Sequence, residues 1–280
     1  MIQKSYSKSD VGKFYLVPTP IGNLEDITLR GIKILENASL ILAEDTRVTK
    51  QLLNHLNIKK DIKSCYKYNE LGNITAVLDV LRDGKDVAYV SDRGTPLISD
   101  PGFLMTKELI KNNVDVIALP GACAFLPALN MSGIEANNFL FFGFLNSKVT
   151  LAKKELEILK RINYVTILYE APHRFIKTIN LINDVYGNVN ISVSREISKM
   201  YEEVFRGSVL EAIDYYKDIK GEFVIIIDKT ITKEEFNYEK MFDDISSLIN
   251  KGLSTKDAIY EVSKNNGVSK NLLYNKYKER

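Results

Sequence analysis

The sequence predicts an α/β protein with two sheet-bearing domains, the first built on a parallel sheet and the second on a mixed one, followed by a small helical module. Three observations predict it. Four short apolar runs between residues 13 and 133 each end in a loop rich in Gly, Pro, Asp or Thr and lead into a helical pattern, as in parallel α/β folds. After residue 134 the apolar runs crowd together, and two of them leave too little chain for a helix between, so this half carries antiparallel pairs. From residue 231 the chain is polar and helical. The expected organisation is a flexible extension over 1–12, a parallel α/β domain over 13–133, a second α/β domain over 134–230 and a helical module over 231–280.

Taken in order, Phe14–Val17 forms the first strand and opens into PTPIGNLEDIT, where Asn23, Glu25 and Asp26 precede a helix near Ile27–Glu36. Ser39–Ala43 is a second strand; Glu44, Asp45, Thr46 and Arg47 follow it, ahead of a helix with Val48, Leu52 and Leu56 at four-residue spacing. The third strand, Val87–Val90, runs into SDRGTPLISDPG, a loop with two Asp, two Gly and two Pro before a helix over Phe103–Asn112. Val114–Leu119 is the fourth; it ends in Pro120-Gly121-Ala122 before a helix near Phe125–Met131. In the second half, Phe139–Leu145, Tyr164–Tyr169, Val189–Ser194, Tyr201–Arg206 and Phe223–Ile227 read as strands, with a lysine-bearing helix after the first of them. In the last module, Ile245, Leu248 and Ile249 mark one helix, Ser254 caps a second and Ser269, after Gly267, a third, which suggests a helix-turn-helix.

Composition narrows the function. A net charge of +2 creates no global field for a polyanion, so any nucleic-acid contact has to rest on local patches. In the C-terminal stretch from Lys264, Lys270, Lys276 and Lys278 alternate with Tyr274 and Tyr277, which reads equally as such a nucleic-acid patch or as a solvated helix face. Two cysteines, Cys65 and Cys123, and two histidines give no metal-ligand spacing, so both cysteines are expected as free thiols and no metal is implied. The first residues lack an apolar signal core and no apolar run reaches about 18 residues, so a soluble cytoplasmic protein without a membrane partner is expected. Neither G-x-G-x-x-G after the first strand nor a P-loop is present, which excludes those nucleotide fingerprints.

Ligands of open parallel sheets bind outside the carboxyl ends of the strands, and the Ser91–Gly102 loop is the richest such end. For Asp26, Glu44 and Asp45, each just before a helix, capping and ligand binding remain equal readings. His173 in EAPHR has no serine or cysteine nucleophile in an elbow to serve, which favours a structural role. The Glu and Arg residues from Arg195 to Arg206 read equally as ligands or as an ion-pair network between strands.

PTPIGNLEDIT, EDTR, SDRGTPLISDPG, LPGACAFLPAL, FFGF, YEAPHR, REISKMYEEVFRG and KGEFVIII span nearly the whole chain in one order. In these blocks the sequence resembles the class III S-adenosylmethionine-dependent methyltransferases, the tetrapyrrole methylase superfamily, and within it the branch that acts on small-subunit ribosomal RNA. The resemblance implies a two-domain tetrapyrrole-methylase-like fold with S-adenosylmethionine in the cleft between domains, and a homodimer. It implies 2'-O-methylation of a cytidine ribose in the decoding region of 16S rRNA within the small ribosomal subunit. Its donor site would be Ser91, Asp92, Gly94, Thr95 and Pro96, with Pro120, Gly121 and Ala122. Candidates for the general base are Asp45, Glu44 and Asp26, and candidates for RNA contact are Arg47, Arg174 and Lys199 with Lys270, Lys276 and Lys278. Arg93 departs from the family, which has a small residue there; it is expected to face solvent or a carboxylate such as Asp92 or Asp100, away from a cationic donor. Two rival readings are a superfamily member acting on a small-molecule or protein substrate, and a non-catalytic RNA-binding or ribosome-assembly protein.

Overall fold

The computed structural model describes residues 3, 4, 6, 10–217, 219–228, 238–266, 268 and 270–278. It divides into two compact units, Met1–Asp228 and Lys229–Arg280. The domain boundary expected at 231, Gly267 and Ser269 of the expected turn and cap, and half of the 1–12 extension lie outside the described residues. Within that extension, the Gln3 amide donates to Val116 O at 2.9 Å and accepts from Val116 N–H at 3.0 Å.

The first sheet contains β1 (Phe14–Leu16), β2 (Leu40–Ala43), β3 (Ile62–Ser64), β4 (Val87–Val90) and β5 (Val116–Ala118). Every pairing in it is parallel, in the order β3-β2-β4-β1-β5. Alternate residues serve two cores. Phe14, Leu16, Leu42, Val87 and Tyr89 meet Val77 and Leu81 of α3 (Glu70–Arg82) and Met105 and Leu109 of α4 (Phe103–Lys111). Tyr15, Val17, Ile41, Ala43, Ala88 and Val90 meet Leu35 of α1 (Leu29–Asn37) and Leu53 of α2 (Thr46–His55). Helices on both faces explain why these strands are apolar throughout rather than alternating. The sequence reading found four strand units in this half, and the structure adds β3 with its helix α3. The strand is an edge of three residues, Ile-Lys-Ser, without the apolar run that marks its neighbours.

The second sheet contains β6 (Phe139–Phe144), β7 (Val165–Glu170), β8 (Asn190–Arg195), β9 (Glu203–Ser208) and β10 (Phe223–Ile227), in the order β6-β7-β10-β8-β9. It is mixed: β6 and β7 are parallel, β10 is antiparallel to β7 and β8, and β9 is antiparallel to β8. Phe223, Ile225 and Ile227 point into a core shared with α6 (Val149–Arg161), α7 (Phe175–Tyr186) and α8 (Val209–Tyr215). Val224 and Ile226 point the other way, where Ala128 of α5 (Phe125–Ser132) covers them together with Val165 and Ile167. In sequence α5 closes the first half, yet it packs on the second sheet and so ties the two halves together. Burying each such Val, Ile or Leu contributes about 1.5–3 kcal/mol, so this contact is a firm one.

The C-terminal unit packs α9 (Tyr238–Asn250), α10 (Thr255–Asn265) and α11 (Lys270–Lys278) around Phe242, Ile245, Ile259, Val262 and Leu273. The Ser254 hydroxyl caps α10, accepting from Asp257 N–H at 3.2 Å. Among the described residues, no helix is long and apolar enough to cross a membrane.

One buried carboxylate joins β3–α3 to the rest. Glu70 accepts from Gly102 N–H at 3.0 Å and from Met105 N–H at 3.1 Å, so it caps α4 and anchors the end of the Ser91–Gly102 loop. Glu70→Gln keeps the volume but removes the charge and one acceptor. It is expected to lower stability by roughly 1.5–3 kcal/mol in urea unfolding, and an unchanged midpoint would refute this anchoring role.

Candidate active site

The topology of the first sheet places a crevice. From β2 the chain moves outward to β3, and from β4 it moves the other way to β5, so the connections diverge at the carboxyl ends of β2 and β4. There the Asp92 carboxylate accepts from Asp45 N–H at 2.9 Å, joining the two strand ends. The Ser91–Gly102 loop is held by its neighbours. Thr19 and Gly94 exchange backbone hydrogen bonds at 2.9 Å, the Thr19 hydroxyl donates to Ser91 O at 3.2 Å, and Thr95 Oγ1 donates to Ala122 O at 2.9 Å. Gly121 lets the loop after β5 approach the loop after β1, since a Cβ there would lie 2.5 Å from Pro18 Cβ. Gly143 does the same from the second sheet: at φ +80, within a register shift of β6, it faces Ser99 Oγ, which a Cβ would meet at 3.2 Å.

Backbone strain gathers on both sides of this crevice. Leu97 and Ser99 have φ of 71 and 66, and Glu196 and Ser198 across from them have φ of 53 and 67. Each costs about 1–3 kcal/mol and persists only because the surroundings hold it.

Between the two sheets lies a cavity of 620 Å³, within the range of pockets for small molecules. Its walls are largely apolar, with Ile21, Val48, Ile98, Phe144, Tyr169 and Ile197. Tyr169 is fixed by its hydroxyl, which accepts from Phe125 N–H at 3.2 Å, and by Phe141 and Phe144, whose ring centroids lie 4.9 and 5.7 Å away. One wall is acidic, formed by Glu44, Asp92 and Asp100. Burial, then the charges of Glu44 and Asp92, push Asp100 up to about 7, against a hydrogen bond from Ser91. Glu44 is raised as well, first by burial and next by Asp92. A site that keeps three carboxylates this close and partly dry is arranged to receive positive charge.

The rim opposite is an ion-pair chain. Lys199 Nζ lies 2.7 Å from Glu196 Oε1 and 2.8 Å from Glu222 Oε2, and Arg93 reaches Glu222 Oε1 at 3.4 Å. Arg93 thus meets a carboxylate, as expected, but the partner is Glu222 of the second half rather than Asp92 or Asp100, and Arg93 stands in the cavity lining rather than away from it. Both side chains of that pair are exposed, so it is worth about 0–1 kcal/mol.

The sequence candidates separate here. Asp92, Gly94 and Thr95 line the cavity, while Ser91 is buried behind them with its hydroxyl donating to Gly94 O at 3.2 Å. Pro96, Pro120, Gly121 and Ala122 are not in the lining, where Cys123 and Ala124 stand instead. Glu44 faces the cavity. Asp45 does not: it caps α2, pairs with Arg47 at 2.6 Å, and the hydrogen bonds from Arg47 pull it down to about 2. Asp26 is exposed and accepts from the Ser198 hydroxyl. Among the expected RNA-contact residues, Arg47 is exposed, whereas Arg174 is engaged by Glu170 at 3.3 Å and Leu145 O at 2.7 Å, and Lys199 by its two glutamates. Lys270 lies 5.3 Å over the Tyr260 ring and Lys278 lies 4.8 Å over Tyr274, while Lys276 is in the last turn of α11. His173 is exposed and outside the lining. Cys65 and Cys123 are free thiols, and no group of three or more metal-binding side chains occurs among the described residues.

Sequence reading missed Asp100, Tyr169, Phe144 and the Glu222–Val224 edge as lining residues. They stand inside the quoted blocks, but their shared cavity arises only when the second sheet closes over the first.

Residues 13–213 match the family model for Tetrapyrrole (Corrin/Porphyrin) Methylases. The chain is 39% identical over 278 residues to Ribosomal RNA small subunit methyltransferase I of Bacillus subtilis, covering 96% of this chain and 95% of that protein. It is 40% identical over 219 residues to the protein of the same name from Thermotoga maritima, where 98% of that protein matches 78% of this chain. In fold it is similar to the cobalamin biosynthetic enzyme cobalt precorrin-4 methyltransferase CbiF, with a TM-score of 0.59 at 18% identity over 77% of this chain and 94% of that one. The doubly wound first sheet, the mixed second sheet, the cavity between them and these similarities agree: the chain belongs to the tetrapyrrole methylase family, in its ribosomal RNA small subunit methyltransferase I group.

Proposed function

We propose that this chain transfers a methyl group from S-adenosylmethionine to the 2'-hydroxyl of a cytidine ribose in the decoding region of 16S rRNA, within the small ribosomal subunit. The observation that carries the reading is the acidic wall of Glu44, Asp92 and Asp100 in a largely apolar cavity of 620 Å³. That pairing suits a donor with a flat aromatic base and a cationic sulfonium and amine. Bound there, the donor supplies an activated methyl group whose sulfur becomes neutral on transfer. Charge attraction at the acidic wall therefore favours binding more than the transition state, and the rate depends on alignment and on removal of the ribose proton.

In this reading Asp92, Gly94 and Thr95 hold the donor, with Ser91 shaping their loop and Cys123 and Ala124 facing them across the cavity. Glu44 is the general base. Of the three acidic candidates it alone lines the cavity, and its raised pKa brings it nearer the operating pH, whereas Asp45 is spent on Arg47. The C-terminal unit, with Lys270, Lys276 and Lys278, serves as an RNA-binding module, and the protein is cytoplasmic. The unit suits an accessory part, since the family model ends at residue 213, before it. A homodimer is proposed through the edge of the second sheet, where Phe139 and Phe142 of β6 are exposed.

The direct test incubates the protein with S-adenosylmethionine and unmodified small subunits, followed by digestion and mass spectrometry. 2'-O-Methylcytidine is expected from the wild type and not from Asp92→Ala. Intact donor binding without product would favour a small-molecule or protein substrate, and no donor binding at all would leave a protein kept for RNA contact.

Glu44→Gln is expected to lower kcat about 100-fold or more and to flatten the acid limb of the pH–rate profile. An unchanged limb would remove Glu44 as the base.

Asp100 gives a paired prediction. Its carboxyl is raised in the folded chain, so the proton it retains favours folding at low pH, and that contribution is lost as pH rises from about 4 through about 7. Asp100→Asn should therefore raise Tm at pH 8 more than at pH 4. It should also weaken donor binding at pH 8 and remove the gain in affinity between pH 6 and 8. Equal Tm shifts at both pH values would contradict the assignment.

A further inference from the structure

A second concavity, of 820 Å³, lies beside the cleft, and α2 is the wall between them. Glu44 and Val48 face the cleft, whereas Thr46, Arg47, Lys50 and Asn54 face the second basin, as helical spacing requires. The basin follows α2 for about 15 Å, the length of its 10 residues, and reaches the connection to edge strand β3. That connection carries Lys59 and Lys60. Four cations thus line one open groove, with Asp61 the only acid in its lining among the described residues. Arg47 is bound to Asp45 yet keeps 87% of its side chain exposed. Lys50, Lys59 and Lys60 have no carboxylate within ion-pair reach among the described residues.

We infer that this basin is a docking track for the phosphodiester backbone of the ribosomal RNA flanking the nucleotide in the cleft. The inference rests on the proposed rRNA substrate and adds residues that hold it. Cations spread along a groove fit a chain of phosphates better than one compact anion. The lining contains no aromatic ring on which a base would stack, so the track sets position without reading sequence. Thr46 and Arg47 of the basin stand in sequence between Glu44 and Val48 of the cleft, so the strand that leaves the site has one turn of α2 to cross to reach it. The unpaired lysines otherwise repel one another, a cost that phosphate relieves.

The test is the full-length variant Lys50→Ala/Lys59→Ala/Lys60→Ala, which leaves Arg47 and the cleft intact. Binding to free 16S rRNA and to unmodified small subunits is titrated at several salt concentrations, beside S-adenosylmethionine affinity and Tm. Affinity for both RNA forms is expected to fall roughly tenfold or more at 0.1 M salt, with the slope of log K against log salt shallower by about 2. The KM for subunits rises in parallel, while donor affinity and Tm hold. A charge-restoring Lys50→Arg/Lys59→Arg/Lys60→Arg variant should recover binding. If the wild type methylates subunits and the alanine variant binds and turns over alike, the basin is not the track. An effect on subunits with none on free rRNA would place a ribosomal protein there and overturn the assignment. A wild type that yields no methylated RNA would instead sink the functional reading, and the track with it.

Discussion

The Ser91–Gly102 loop leaves the centre of a parallel sheet without regular partners for its backbone, and much of it is shielded from water. Its amides and carbonyls have to be paired by something else, because an unsatisfied buried backbone group costs as much as a lost hydrogen bond. Thr19 from the loop after β1 and Glu70 from α3 pair its backbone groups, while its own Asp92 and Thr95 side chains tie it to Asp45 N–H at the end of β2 and to Ala122 O in the loop after β5. The consequence is a rigid floor for the cleft. Mobility would scatter the Asp92, Gly94 and Thr95 positions on which alignment depends.

The same shielding accounts for the electrostatics. Glu44 from the end of β2 and Asp100 from the loop after β4 are drawn together in a partly dry wall, and their mutual repulsion with Asp92 is a standing cost to the fold. Function explains why it is tolerated, since a cationic donor offsets it. The one cation in the cavity lining, Arg93, is paired there with Glu222. Lys199 and Arg93 are held at the rim by Glu196 and Glu222, and the unpaired lysines stand behind α2. One helix therefore separates a site for a cation from a surface suited to a polyanion.

Buried strands announced themselves in the sequence because helices cover both faces of the first sheet, which makes Val87–Val90 and its neighbours apolar throughout. Strand β3 did not, being short, polar and at an edge. The Ser254 cap was legible because capping is local chemistry, and the mixed pairing of the second sheet followed from the short Arg195–Glu203 connection. The base candidates were not separable: Glu44 and Asp45 are adjacent, and helix direction alone sends one into the cavity and the other to Arg47.

What the sequence determined by itself was the family, through blocks spaced along the whole chain, the alternation of elements, and the loop that forms the floor of the cleft. These are properties of neighbouring residues and of their order. Tertiary structure decided which of those residues share a cavity. Asp100, Tyr169 and Glu222 meet across the cleft only because α5 crosses to the second sheet and closes it over the first. It also decided that Arg174 reaches Leu145 O and Lys199 reaches Glu222, 29 and 23 residues away along the chain, and that Lys50 joins Lys59 and Lys60 in one groove. Charge pairing over long sequence separations depends on distance in space, which local sequence does not encode.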